Sequence, residues 1–149
     1  MAPGSHGMMI LIDTTVWVDF FNASSHHHVE VLENLISNRE DICICGIILS
    51  EVLQGIRKDS EYKKTKELFE ELIILPMNNS TFFRSAEIYR ALRRKGITVQ
   101  KPLDCMIASV AIENEIPLLH NDRDFDPIEK YFGLKTLKQK QLSQPPQGL

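Results

Sequence analysis

Long apolar runs are missing from this sequence. The longest, such as GIILSEVL at 46–53 and ELIILP at 71–76, fall far short of the roughly 20 residues that a membrane-spanning helix needs. No membrane partner is expected, and no secretory signal is read. Cysteine is scarce: Cys43, Cys45 and Cys105 are an odd number with no CxxC pair, which argues against a disulfide scaffold and against structural zinc. Free thiols suit a reducing compartment, so a cytoplasmic location is expected. Positive charge is not in excess either, the formal net charge being −3, so any surface that attracts nucleic acid must be local. Basic residues do cluster, as RRK at 93–95 and YKKTK at 62–66, although each cluster alone reads as a solvated helix face. Internal repeats are absent, and HHH at 26–28 reads as a loop or helix start, because consecutive residues point to different sides of an element.

What is present fits one domain, since 149 residues with 43% hydrophobic content can bury a single sizeable core. MMILID is a continuous apolar run ending in a carboxylate, as in a parallel strand buried on both faces. Helix-compatible TTVWVDFFN follows, and Val29, Leu32, Leu35 and Ile36 recur at helical spacing in HVEVLENLISN. DICIC reads as a second strand, with Cys43 and Cys45 on one face. GIILSEVLQGIRK and SEYKKTKELFEEL read as helices, the first presenting Ile47, Ile48, Val52 and Ile56 on one side. IILP is a third strand stopped by Pro76. A long helix over 79–94 carries Phe83, Ala86, Ile88, Tyr89 and Leu92 and ends at Gly96. KPLDCMIASVAIENE is the next helix, IPLLH a fourth strand, DPIEKYF a short helix and LKTL a possible edge strand. Alternating strands and helices with right-handed crossovers imply a three-layer α/β/α domain around a parallel sheet of four to five strands. The domain is expected over 9–137, after an appended or unordered lead-in at 1–8 and before a polar, flexible tail at 138–149.

Several carboxylates sit where they cost energy. Asp13 ends the first strand, where ligands bind in such sheets, although it could simply cap the next helix. Glu51 shares a face with Ile47, Ile48 and Val52, and Asp104 leads the inward row Ile107, Ala108 and Ala111, so each is a charge on an apolar stripe unless a basic residue pairs with it. Asp122 and Asp124 follow the fourth strand, both turned the same way by alternation. All of these fall at one end of the sheet. Gathered acids repel one another, and a hard divalent cation bound by oxygen ligands, Mg²⁺ or Mn²⁺, relieves that conflict. Such a centre suits phosphodiester hydrolysis. Because the acids repel phosphates, flanking Arg93, Arg94, Lys95, Lys101 and Arg123 are the candidates for substrate affinity.

The stretches ILIDTTVWVDFF, SEVLQGIR and PLDCMIASVAIENEIPLLHNDRDFDPI resemble the successive motifs of the PIN domain, and more narrowly of VapC-type toxin ribonucleases from toxin–antitoxin pairs. Their order and spacing carry the resemblance, which spans most of the chain. It implies metal-binding acids at Asp13, Glu51 and Asp104 and a fourth at Asp122, with Asp124 the second choice. Thr15 stands where that family often has serine and keeps the hydroxyl. The resemblance further implies a Mg²⁺-dependent endoribonuclease acting on tRNA or another structured RNA, active as a homodimer and silenced by a VapB-like antitoxin. The alternative is a catalytically inactive PIN-like module that binds RNA or protein. An aspartyl phosphatase using Asp13 as nucleophile wants a second acid at position 15, which is Thr15, and a receiver-type domain wants adjacent acids and a late lysine that are not found.

Overall fold

The computed structural model describes residues 8–137; the expected lead-in, apart from Met8, and the expected tail lie outside them. Four strands, β1 (Met9–Ile12), β2 (Asp41–Cys45), β3 (Ile73–Leu75) and β4 (Leu118–Leu119), form one sheet in the order β3-β2-β1-β4. All pairings are parallel, with Ile10 opposite Ile42, Ile12 opposite Leu119 and Cys43 opposite Ile73. Seven α-helices complete the described residues: α1 (Thr14–Phe21), α2 (His27–Ser37), α3 (Gly46–Gln54), α4 (Asp59–Glu70), α5 (Asn79–Arg94), α6 (Leu103–Asn114) and α7 (Asp126–Phe132).

Beyond their first residues the central strands are apolar because helices flank the sheet. Ile10, Leu11, Ile12, Cys43, Ile44 and Cys45 are fully buried, as a parallel sheet covered on both faces requires. Trp17, Leu32, Ile48, Phe69, Leu92, Ile107 and Phe125 pack onto this layer. The chain runs outward from β1 to β2 to β3, then returns to place β4 on the other flank of β1. The order therefore reverses between β1 and β4, which opens a crevice beyond their carboxyl ends, the usual ligand site of such sheets. Backbone bonds from Leu11 N to Pro117 O, 3.0 Å, and from Asp13 N to Leu119 O, 2.9 Å, hold the two strand ends side by side.

The α5–α6 hairpin closes the same end of the molecule. Gly96, at φ +81°, takes the left-handed turn after α5, and the amides of Gly96 and Ile97 bond back to Arg93 O and Leu92 O at 2.9 Å each, a glycine-terminated helix end. Thr81 at the start of α5 donates to Glu113 Oε1 near the end of α6, 2.7 Å, so the helices run antiparallel. The end of α5 and the start of α6 consequently lie together.

Two expectations need correction. Phe83 is not part of the inward stripe of α5 but 71% exposed; the buried row is Thr81, Ser85, Ile88 and Leu92, because the Thr81 hydroxyl finds a carboxylate on α6 and can be buried without loss. LKTL contributes a single parallel bridge, Leu118 to Thr136, rather than a strand.

Candidate active site

Asp13 leaves β1 in extended conformation and caps α1, its Oδ2 accepting from Thr15 N at 3.1 Å and from Thr15 Oγ1 at 2.5 Å. Capping and site placement thus coincide in one residue. Asp13 is 2% exposed, and its carboxyl is pushed up from the usual range, first by burial and also by Asp122, against the lowering hydrogen bonds from Thr15.

Asp104 stands in the first turn of α6 and is 5% exposed, beside Cys105, Ile107 and Ala108. Burial, then the negative charges of Asp13 and Asp122, push it up to about 8. Its Oδ2 is buried without a hydrogen-bond partner. A buried carboxylate oxygen left unsatisfied is expensive, so this atom is short of a proton or a cation.

Glu51 reaches the crevice from α3. Its Oε1 accepts from Thr14 Oγ1 at 2.7 Å, so a neutral hydroxyl rather than a basic side chain holds it. The buried Cys45 thiol at the end of β2, pushed up chiefly by burial, also feels Asp13 and Glu51, which puts those two acids on the same side of the sheet end. Asp13, Thr14, Thr15, Asp19, Glu51, Lys101, Asp104 and Asn121 line one open cleft of about 320 Å³.

The segment after β4 completes the cluster. Asp122 caps a 3-10 turn at Arg123–Phe125, its Oδ1 accepting from Asp124 N at 2.9 Å. One oxygen each from Asp104, Asp122 and Asp124 lie within 4.8 Å of one another. The Lys101 ammonium pairs with Asp122 Oδ2; burial opposes this, but the contact with Lys101 leaves Asp122 below the usual carboxylate range. Asp124 Oδ2 accepts from the backbone N of Lys101 at 2.9 Å, so Asp124 ties two loops together.

The flanking bases are distributed more widely. Arg93 and Arg94 end α5, both exposed. Arg93 lies over the Tyr89 ring, and the Lys95 ammonium lies over Tyr131 at 4.7 Å. Arg123 lines a neighbouring cleft with His120, Asn121, Asp122 and Asp126. Lys101 stands at the rim of the acidic cluster, its ammonium turned onto Asp122.

Sequence reading missed Thr14, Asn121 and Asp19. The Thr14–Thr15 doublet behind Asp13 was the available signal for the first, since two hydroxyls in one helical turn face different acids. Asn121 N bonds Thr15 Oγ1 at 3.2 Å, and Asp19 is held by the buried His28 at 2.7 Å; both contacts join segments whose adjacency only the fold creates.

The donor set is all oxygen, partly buried and short of positive charge, and it contains an unpartnered Asp104 atom, so it fits a hard divalent cation. This sheet order with acids at the switch point defines a class, and comparison identifies it. The PIN domain family model matches residues 10–131, and the chain belongs to the PIN domain family. It is 39% identical over 130 residues to ribonuclease VapC11 of Mycobacterium tuberculosis, covering 86% of this chain and 97% of that protein. With ribonuclease VapC1 of Methanocaldococcus jannaschii it shares 33% over 133 residues, 85% of each chain. The fold matches that in the VapBC2 complex of Rickettsia felis bound to promoter DNA, with a TM-score of 0.68 at 24% identity over 87% of this chain and 98% of that one. VapBC-1 of nontypeable Haemophilus influenzae gives 0.68 at 18%, over 89% and 99%.

Proposed function

We propose that the chain is a divalent-metal-dependent endoribonuclease, the toxin of a toxin–antitoxin pair, cleaving tRNA or another structured RNA. The observation that carries this reading is the convergence of Asp13, Glu51, Asp104 and Asp122 at the β1–β4 switch point, with Asp104 Oδ2 buried and unpartnered. Relatives named as VapC ribonucleases, covered over nearly their whole length, support the substrate class. Fold neighbours solved as VapBC complexes support a VapB-like antitoxin as partner. Exposed Phe82 and Phe83 on α5 offer apolar area for a homodimer. Three free, buried cysteines suit the cytoplasm, and no helix among the described residues is long and apolar enough to cross a membrane.

In this reading Asp13 and Asp104 hold Mg²⁺ or Mn²⁺, and Glu51, fixed by Thr14, contributes directly or through water. When bound, such an ion supplies Lewis acidity toward a phosphate oxygen and toward an attacking water. Thr15 fixes the free rotation of Asp13 and, through Asn121 N, the approach of the loop after β4. Asp122, held by Lys101, orients water at the edge of the cleft, and Arg93, Arg94, Lys95 and Arg123 attract the RNA backbone that the acids repel.

Purified protein incubated with total RNA, with Mg²⁺ or with chelator, tests the proposal. Discrete fragments that depend on the metal are expected. Binding without cutting would instead make the chain an inactive PIN-like module.

A further inference from the structure

Acidic clusters of this kind raise the question of how many cations they hold. Asp104, Asp122 and Asp124 bring one oxygen each within 4.8 Å, a spacing suited to a second ion beside the one between Asp13 and Asp104. The oxygens of that triad are nevertheless unequal. Asp122 Oδ1 is occupied by Asp124 N and Asp122 Oδ2 by the Lys101 ammonium, while Asp124 Oδ2 is occupied by Lys101 N. Among these oxygens Asp104 Oδ2 is buried without a hydrogen-bond partner.

Lys101 is anchored twice, by its backbone at Asp124 and by its side chain at Asp122. Its side chain is about half exposed while that of Asp122 is 13% exposed, so the ammonium reaches inward from the rim. The positive charge already seated on Asp122 repels an incoming divalent ion. On the other side of the cleft the Thr14 and Thr15 hydroxyls, rather than a basic side chain, hold Glu51 and Asp13.

Resting on the metal-dependent reading above, we propose that Lys101 is a built-in second cation: its ammonium on Asp122 limits this cleft to one divalent ion, held on the Asp13–Asp104 side. The charge that a second metal brings to phosphodiester chemistry is then supplied in part by a fixed lysine, which makes Lys101 a positioning residue for Asp122.

Counting bound Mn²⁺ by the electron paramagnetic resonance of the free ion, on wild-type protein and on Lys101→Met and Lys101→Arg, tests this without reference to activity. Wild type and Lys101→Arg are expected to saturate at one Mn²⁺, and Lys101→Met at two, the second at least about tenfold tighter than any second binding in wild type. Lys101→Gln, which keeps a donor for Asp122 without charge, replaces Lys101→Met should circular dichroism show the latter unfolded, and is expected to give the same count of two. Two ions on wild type, or one on both neutral variants, would overturn the inference while leaving metal dependence intact. No binding to any of the proteins would reject the metal-dependent reading itself.

Discussion

Asp104 is buried between Asp13 and Asp122, and burial together with those charges raises it to about 8. An unfolded aspartate titrates near 3.9, so below about pH 4 both states carry the proton, and above it the folded chain keeps a proton that the unfolded chain has lost. The stability linked to Asp104 is therefore fully present at low pH and is lost as pH rises through about 8. Asp13, also raised, acts in the same direction, and Asp122, lowered by its contact with Lys101, in the opposite one. In chelator, Asp104→Asn is expected to melt several degrees above wild type at alkaline pH, with the difference closing toward about pH 4; thermal melts across that range measure it. Thr14→Val removes the hydroxyl that holds Glu51 at 2.7 Å while keeping shape. Loss of a group orienting a metal ligand costs about 10–100-fold in activity or metal affinity, so RNA cleavage should fall by that factor with the fold unchanged, as rate assays at saturating metal would report.

At the scale of elements, the α5–α6 hairpin delivers Asp104 to the sheet end. Thr81 works at both ends of one hydroxyl, accepting from Asn78 N at 3.1 Å and donating to Glu113 at 2.7 Å. Thr81→Val leaves Glu113 with Arg84 at 3.7 Å and removes a buried polar partner, worth about 1–3 kcal/mol. Urea denaturation should show that loss, whereas cleavage per folded molecule should stay near wild type because Thr81 lies at the far end of the hairpin. These elements were largely legible in the sequence. The apolar run at Met9–Ile12, the Pro76 stop and the Gly96 terminus each have a local cause, so β1, β3 and α5 follow from neighbouring residues. Asp13, Glu51 and Asp104 stood out for the same reason, as charges placed on apolar strands or faces. What was not legible depends on contacts distant in sequence. Phe83 turns outward because Thr81 pairs with a residue on α6, and Lys101, which reads as a substrate-binding base, turns inward because the loop after β4 presents Asp122 to it.

Across the whole molecule a formal charge of −3 coexists with a basic group, Arg93, Arg94 and Lys95, at the end of α5. If these three contact RNA phosphates, replacing them together with alanine should flatten the slope of log affinity against log salt by about 2, from about 0.7 per phosphate contact on single strands. Filter binding with Asp104→Asn, to prevent cutting, measures it. The acidic cleft itself admits a sharper test. A carboxyl at about 8 is mostly protonated at neutral pH, and a metal ligand must shed its proton. Calorimetric titration of Mn²⁺ into wild type at pH 7, repeated in buffers of different ionisation enthalpy, should show release of about one proton per ion bound, and Asp104→Asn should lose both the release and most of the affinity. Tight Mn²⁺ binding to Asp104→Asn, or binding to wild type without proton release, would contradict the assignment of this buried cluster as the metal centre.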